Sequence, residues 1–284
     1  MGKMGFVIWV WVFLWIKLLF LTGKAICLVQ KSHLFIYLFS KLLAFKLRLL
    51  LRIRYRVTME GVDRIKTDAP VLFLPNHPAL IDPVILVSQL WRFMAVVPVI
   101  AEKYYNVPLA KWYFKGIGAV SVSDLEAGSR DTQVLTTITG AVAKGFRQKK
   151  NIVIYPGGQI AGQSYERIFN KKSAYHIVKE IPEDVQIVGV RITGLWGSMW
   201  SKAKTGKSPH FFVQLLKGAF YVLANLVFFV PKREVKIEFS DITSAAKENA
   251  ALGQKPFNQF LEEFYNVNGE EKAVFYSFRF LTGK

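Results

Sequence analysis

The sequence predicts an α/β domain with a mostly buried central sheet flanked by helices and preceded by N-terminal membrane-associated helices. Three observations carry that expectation. After Gly61, short β-rich runs alternate with helical stretches, the order of elements that builds a sheet covered on its faces. Before it, long apolar runs are interrupted by basic residues. No Pro/Gly/Ser-rich linker or low-complexity tract divides the 284 residues, so one domain, residues 57–284, is expected behind anchoring or interfacial helices in residues 1–56.

The elements follow in order. Residues 6–22, FVIWVWVFLWIKLLFLT, are broken only by Lys17 and lie near the lower length limit for crossing a bilayer core. A cleaved signal peptide is the rival reading, but Thr22-Gly23-Lys24-Ala25 lacks a small-x-small cleavage pattern. From His33 to Arg56, the cations Lys41, Lys46, Arg48, Arg52, Arg54 and Arg56 punctuate aliphatic runs. This reads as a basic interfacial helix whose long side chains snorkel to headgroups, and Trp9, Trp11 and Trp15 favour the bilayer over packing of these helices on the domain. Strands are predicted at 71–75, 93–101, 119–123, 151–156, 185–192 and 234–240, with helices at 83–91 and 131–147. A second apolar stretch, 211–230, is long enough to span, but Gln214, Lys217, Gly218 and Asn225 make an interfacial or substrate-channel helix an equal alternative.

A formal charge of +18 attracts phosphate-bearing partners: anionic lipids, coenzyme A, acyl carrier protein or nucleic acid. The basic residues lie beside membrane-like segments and no RNA-binding or helix-turn-helix signature is present, so nucleic acid is not expected. Cys27, the single cysteine, can form no internal disulfide. Histidines 33, 77, 176 and 210 have no metal-ligand spacing to another His or Cys, and no metal is expected.

One segment carries chemistry: Asn76-His77-Pro78-Ala79-Leu80-Ile81-Asp82. A neutral hydroxyl is a poor nucleophile and needs a base to take its proton, which histidine does best when a carboxylate fixes its tautomer. The predicted strand ending at Leu74-Pro75 delivers His77 to a loop, and Asp82-Pro83 reads as the cap and first position of a helix, so a short turn can fold His77 back to Asp82. Such a site lies beyond the carboxyl end of a strand. Alone, the spacing is also compatible with a helix cap and a polar loop residue.

FLPNHPALIDP resembles the first block of the glycerolipid acyltransferases typified by lysophosphatidate acyltransferase: a strand, then Asn-His, four residues and Asp. AEKYYNVPLAKWYFKGIGAVSVS, IVIYPGGQIAGQS and VQIVGVRITGLWGS resemble the second, third and fourth blocks in order, over about residues 50–240. The resemblance implies that His77 is the general base and Asp82 its orienting partner, acting without a cofactor on acyl-CoA or acyl carrier protein as donor. It implies an acceptor such as a 1-acylglycerol-3-phosphate or a lysophosphatidylethanolamine, the latter on the run Arg191–Ser198. The departures bear on that acceptor. Asp124 follows Ser123 where a basic residue is usual, Tyr155-Pro156-Gly157-Gly158 and then Gln159-Ile160 stand where Phe-Pro-Glu-Gly and Thr-Arg are common, and Gly189 replaces a proline.

Acceptor-binding candidates are therefore Asn76, Gly157, Gly158, Gln159 and Arg191. Pro156-Gly157-Gly158 can turn sharply and offer backbone N–H groups to an anionic or polar headgroup, or be an ordinary tight turn. Gln159 is a neutral reader of polar groups, and Arg191 either binds phosphate or is paired. An acceptor that is a phosphate-free aminolipid, or a non-catalytic lipid-binding relative, are the alternatives. Membrane lipids are the expected partners, at an inner or cytoplasmic membrane with the site facing the cytoplasm.

Overall fold

The structure is a computed structural model and describes residues 33–107, 110–122, 132–225, 227 and 229–276. The stretch 6–22, Cys27 and Asp124 lie outside the described residues.

In chain order the elements are α1 (His33–Leu51), β1 (Tyr55–Glu60), a 3-10 turn (Val62–Arg64), β2 (Val71–Pro75), α2 (Asp82–Leu90), β3 (Val96–Ala101), α3 (Glu102–Tyr105), α4 (Ala110–Ile117), β4 (Val120–Val122), α5 (Thr132–Arg147), β5 (Asn151–Val153), α6 (Ser173–Lys179), β6 (Gln186–Thr193), α7 (Phe211–Ala224), β7 (Arg233–Asp241), α8 (Thr243–Leu252) and α9 (Gln254–Tyr265). The strands form one seven-stranded sheet in the order β1-β7-β6-β2-β5-β3-β4. All neighbours run parallel except β6 and β7.

Strand β2 is central because nothing in it is polar. Every residue of Val71-Leu72-Phe73-Leu74-Pro75 is buried, and alternate side chains feed opposite cores. Val71 and Phe73 join one core with Ile85, Leu86, Leu90 and Phe239, whereas Leu72 and Leu74 join the other with Val142, Phe146, Ile177, Phe257 and Leu261. The sheet is thus a middle layer with helices on both faces.

The chain leaves β2 for β3 on one side and leaves β5 for β6 on the other. The carboxyl ends of β6, β2 and β5 therefore meet at a point where strand order reverses, the usual place for a site in an open sheet.

Helix α1 is helical only to Leu51, and the chain is already a strand at Tyr55, across the expected boundary at 56/57. The basic run hides this strand: Arg54 and Arg56 alternate with Tyr55 and Val57, a period of two. The helix has a packed side and an exposed side. One side, with Ser40 and Ala44 buried, packs on α2 and α4, helped by Phe39 against Trp112 and Tyr113 and by Arg48 Nη1 donating to Ser88 O at 2.7 Å. The other exposes Leu34, Leu38, Leu42, Phe45 and Leu49, a stripe at helical spacing. Helix α7 buries none of its side chains and exposes Phe212, Leu215, Leu216, Phe220 and Leu223. Among the described residues no helix is long and apolar enough to cross a membrane.

Candidate active site

At the end of β2 the chain leaves the sheet in a fixed direction. Asn76 N donates to Val190 O at 3.2 Å, the last rung toward β6. The buried Asn76 side chain then bridges to the same strand, Nδ2 donating to Ile192 O at 3.0 Å and Oδ1 accepting from Ile192 N at 2.7 Å. One N–H and one lone pair of the Asn76 amide are thus spent on holding the loop to β6.

The loop then turns back. Ala79 O accepts from Asp82 N at 3.1 Å, and Asp82 Oδ2 accepts from both Ala79 N and His77 Nδ1 at 3.0 Å. Asp82 is the first residue of α2 and, contrary to the capping expectation, makes no side-chain cap of that helix. Its carboxylate is fully buried, while the His77 side chain keeps 13% of its surface. An ionised carboxylate can only accept, so Nδ1 carries the proton and Nε2 keeps a lone pair with no partner among the described residues.

Burial acts to lower the His77 pKa, but the charge and hydrogen bond of Asp82, joined by the charge of Glu166, outweigh it and hold the imidazole above its ordinary value. Tyr155, from the chain just beyond β5, lies against the imidazole with ring centroids 4.4 Å apart. Burial and the neighbouring Asp82 carboxylate push its phenol far up, so it stays neutral; the phenol oxygen and Asp82 Oδ1 are both buried, with no partner at full hydrogen-bond geometry among the described residues.

A residue that sequence reasoning did not single out completes the cluster. Glu166 Oε2 accepts from the His77 backbone N–H at 2.8 Å, and Ala161 N donates to His77 O at 2.7 Å. Both groups of the His77 peptide backbone are held by one loop. Its partner lies 89 residues away, so no local pattern marks Glu166. The one available signal was a carboxylate shortly after a block whose usual glutamate is replaced by Gly157.

The other candidates divide. Gly158 has φ 64° and its N–H bonds Tyr155 O at 3.0 Å, which is the tight-turn reading. Gly157 is buried and has no positive φ, so space and not backbone conformation demands glycine there. Gln159 is exposed and its side chain makes no hydrogen bond with a described residue. Arg191 is committed: Nε donates to Glu238 Oε2 at 2.9 Å and Nη1 to Phe264 O at 3.1 Å, the paired alternative to phosphate binding. Lys202, two residues past the Trp200 carbonyl that accepts from Leu80 N, is near enough to His77 to lower its pKa and forms no ion pair with a described residue. A recess of about 270 Å³ lies beside the loop, lined by Asn76, Glu166, Arg191, Glu270 and Glu271 among others.

A buried carboxylate orienting an imidazole, at the carboxyl edge of a mostly parallel sheet, defines an α/β protein equipped for general-base chemistry. Residues 56–193 match the family model described as Acyltransferase, and the chain is an acyltransferase enzyme. Among solved structures, the crystal structure of the 1-acyl-sn-glycerophosphate acyltransferase PlsC from Thermotoga maritima is similar, with 16% identity and a TM-score of 0.49 over 83% of this chain and 77% of that one. No curated protein matches the sequence.

Proposed function

We propose that this acyltransferase passes a fatty acyl chain from acyl-CoA or acyl carrier protein to the hydroxyl of a lysophospholipid-type acceptor, of the 1-acylglycerol-3-phosphate or lysophosphatidylethanolamine class, at a membrane surface. The observation that carries this reading is the His77 Nδ1 to Asp82 bond, which leaves Nε2 as a base. His77 Nε2 takes the hydroxyl proton as the oxygen attacks the thioester carbonyl. The tetrahedral oxyanion collapses, and the thiolate of the donor leaves with that proton returned from the imidazolium. Asp82 stabilises the imidazolium in between. No acyl-enzyme is required.

Lys202 supports an anionic headgroup, since it supplies a cation beside His77 that neither position 124 nor positions 159–160 offers. The reading with a phosphate-free aminolipid draws on the opposite side of the loop, where Arg191 is paired and the recess carries Glu166, Glu270 and Glu271. Carboxylates there favour an ammonium over a phosphate.

Purified protein supplied with labelled acyl-CoA or acyl carrier protein and a panel of single-chain lipids will acylate a lysophospholipid. The variant His77→Ala will lose about 10²- to 10⁴-fold in rate while staying folded by circular dichroism. Near-normal turnover in that variant overturns the mechanism, and transfer only to an aminolipid lacking phosphate replaces the acceptor.

A further inference from the structure

We infer that Glu166 is a positioning residue for His77, and that position 157 is glycine because the Glu166 carboxylate occupies the space a side chain there would need. This rests on the reading of His77 as the base.

The geometry is specific. Glu166 is 4% exposed, and its own backbone is clipped at both ends by Asn266, at the end of α9: Glu166 N donates to Asn266 Oδ1 at 2.8 Å, and Asn266 Nδ2 donates to Glu166 O at 2.9 Å. Helix α9 is in turn fixed to β2 by Tyr265 OH donating to Leu74 O at 2.9 Å. The carboxylate is therefore not a mobile side chain that happens to touch the loop. Oε2 holds the His77 N–H, which has left the sheet and has no strand partner to bond.

Oε1 points the other way, and a Cβ built on Gly157 would lie 2.7 Å from it. Real Cβ atoms do not approach an oxygen that closely. Side chains from 157 and 166 thus compete for one volume beneath His77. Where the resemblance leads one to expect a glutamate at 157 this chain has glycine, and the carboxylate in that volume comes from nine residues downstream (166 − 157).

Glu166 also acts through charge. The groups facing it are His77 and Asp82 from the catalytic loop, Tyr155 from beyond β5, and Glu262 and Tyr265 from α9. Of these only His77 can carry positive charge, and Glu166 favours that form. Removing the Glu166 charge lowers the His77 pKa, whereas removing only the hydrogen-bond acceptor frees the loop. The two effects separate by substitution. Glu166→Gln keeps an oxygen that accepts from His77 N–H and loses the charge; Glu166→Ala loses both.

The experiment compares the full-length protein with Glu166→Gln, Glu166→Ala, Gly157→Glu and the exchange Gly157→Glu/Glu166→Gly. Two readouts are used, steady-state acyl transfer and the His77 imidazole titration followed by NMR, the second of which needs no substrate. Glu166→Ala should lower kcat by about tenfold to a hundredfold with KM changed little, since misplacement of the base and not substrate affinity is affected. Glu166→Gln should keep most of kcat. Both should move the His77 titration, and the acid limb of kcat/KM, to lower pH.

Gly157→Glu alone crowds the site and should be impaired; the exchange should recover activity above either Gly157→Glu or Glu166→Ala. An unshifted His77 titration in both Glu166 variants together with unchanged kcat in Glu166→Ala overturns the inference, as does an exchange variant that folds and is no better than Gly157→Glu. If the wild-type protein acylates none of the lysolipids, the acceptor assignment fails while the imidazole titration still decides the role of Glu166.

Discussion

At the scale of single residues, the site concentrates charge where solvent is scarce, and that has a measurable cost. Burial is the main reason the Glu166 carboxyl is raised from 4.5 to about 7; its hydrogen bond to His77 N–H and the His77 charge offset only part of it. Between those two values the folded chain keeps a proton that the unfolded chain has released. The folded state then binds more protons than the unfolded one, so stability falls as pH rises from 4.5 through 7. The full shift corresponds to about 3 kcal/mol at 1.36 kcal/mol per unit. Urea titrations at pH 5 and pH 8 should show the wild-type protein losing stability relative to Glu166→Gln, whose amide does not titrate. Equal losses in both proteins would mean that other groups set the pH dependence. The pair His77–Asp82 was legible in the sequence because five residues of loop bring them together, whereas Glu166 reaches the same loop from a distant segment, and Arg191 looked available only because its partner Glu238 lies on a neighbouring strand.

At the scale of elements, the strands predicted at 71–75, 151–156, 185–192 and 234–240 appear because their residues are continuously apolar or alternate cleanly, as β7 does in its buried and exposed positions. The elements that escaped were β1, α3, α4, α6 and the C-terminal pair α8 and α9. Helix α9 carries Phe257, Leu261 and Tyr265 at helical spacing with Gln259, Glu262 and Glu263 between them, an amphipathic pattern that the sequence does contain. Its presence explains a departure in the fourth block. Gly189 sits on β6 where the ring of Phe264 from α9 would come within 2.7 Å of a Cβ, so the small residue admits the helix. The neighbouring Tyr265 then reaches Leu74 O. Gly189→Ala should displace Phe264 and cost about 1–3 kcal/mol, the range for overpacking a tight contact. The loss should appear in thermal unfolding and be relieved by Phe264→Leu. A variant as stable as the wild type would show that α9 can slide without penalty.

At the scale of the whole molecule, the two exposed apolar stripes of α1 and α7 belong to the same layer. Ile36 of α1 and Phe211 of α7 both pack on the core that contains Ile85 and Trp200, and Phe211 also meets Trp200 and Tyr104. Trp200 O in turn accepts from Leu80 N in the loop between His77 and Asp82, so α7 is tied to the segment that carries His77. Each large apolar side chain withdrawn from water contributes about 1.5–3 kcal/mol, which makes several on one face a strong incentive to enter a bilayer. Exposure alone does not predict entry: Leu252 on α8 is 75% exposed, close to the 72% of Leu216 on α7, but it packs with the opposite layer and has no apolar stripe around it. With Cys27→Ser as background, environment-sensitive probes at Leu38→Cys and Leu216→Cys should shift to the blue on vesicles containing anionic lipid and be quenched by brominated acyl chains, while a probe at Leu252→Cys should do neither. Because the net charge is +18, salt should weaken the association without changing which probes respond. Quenching at Leu252→Cys, or none at Leu216→Cys, would place the bilayer on a face other than the one that carries α7.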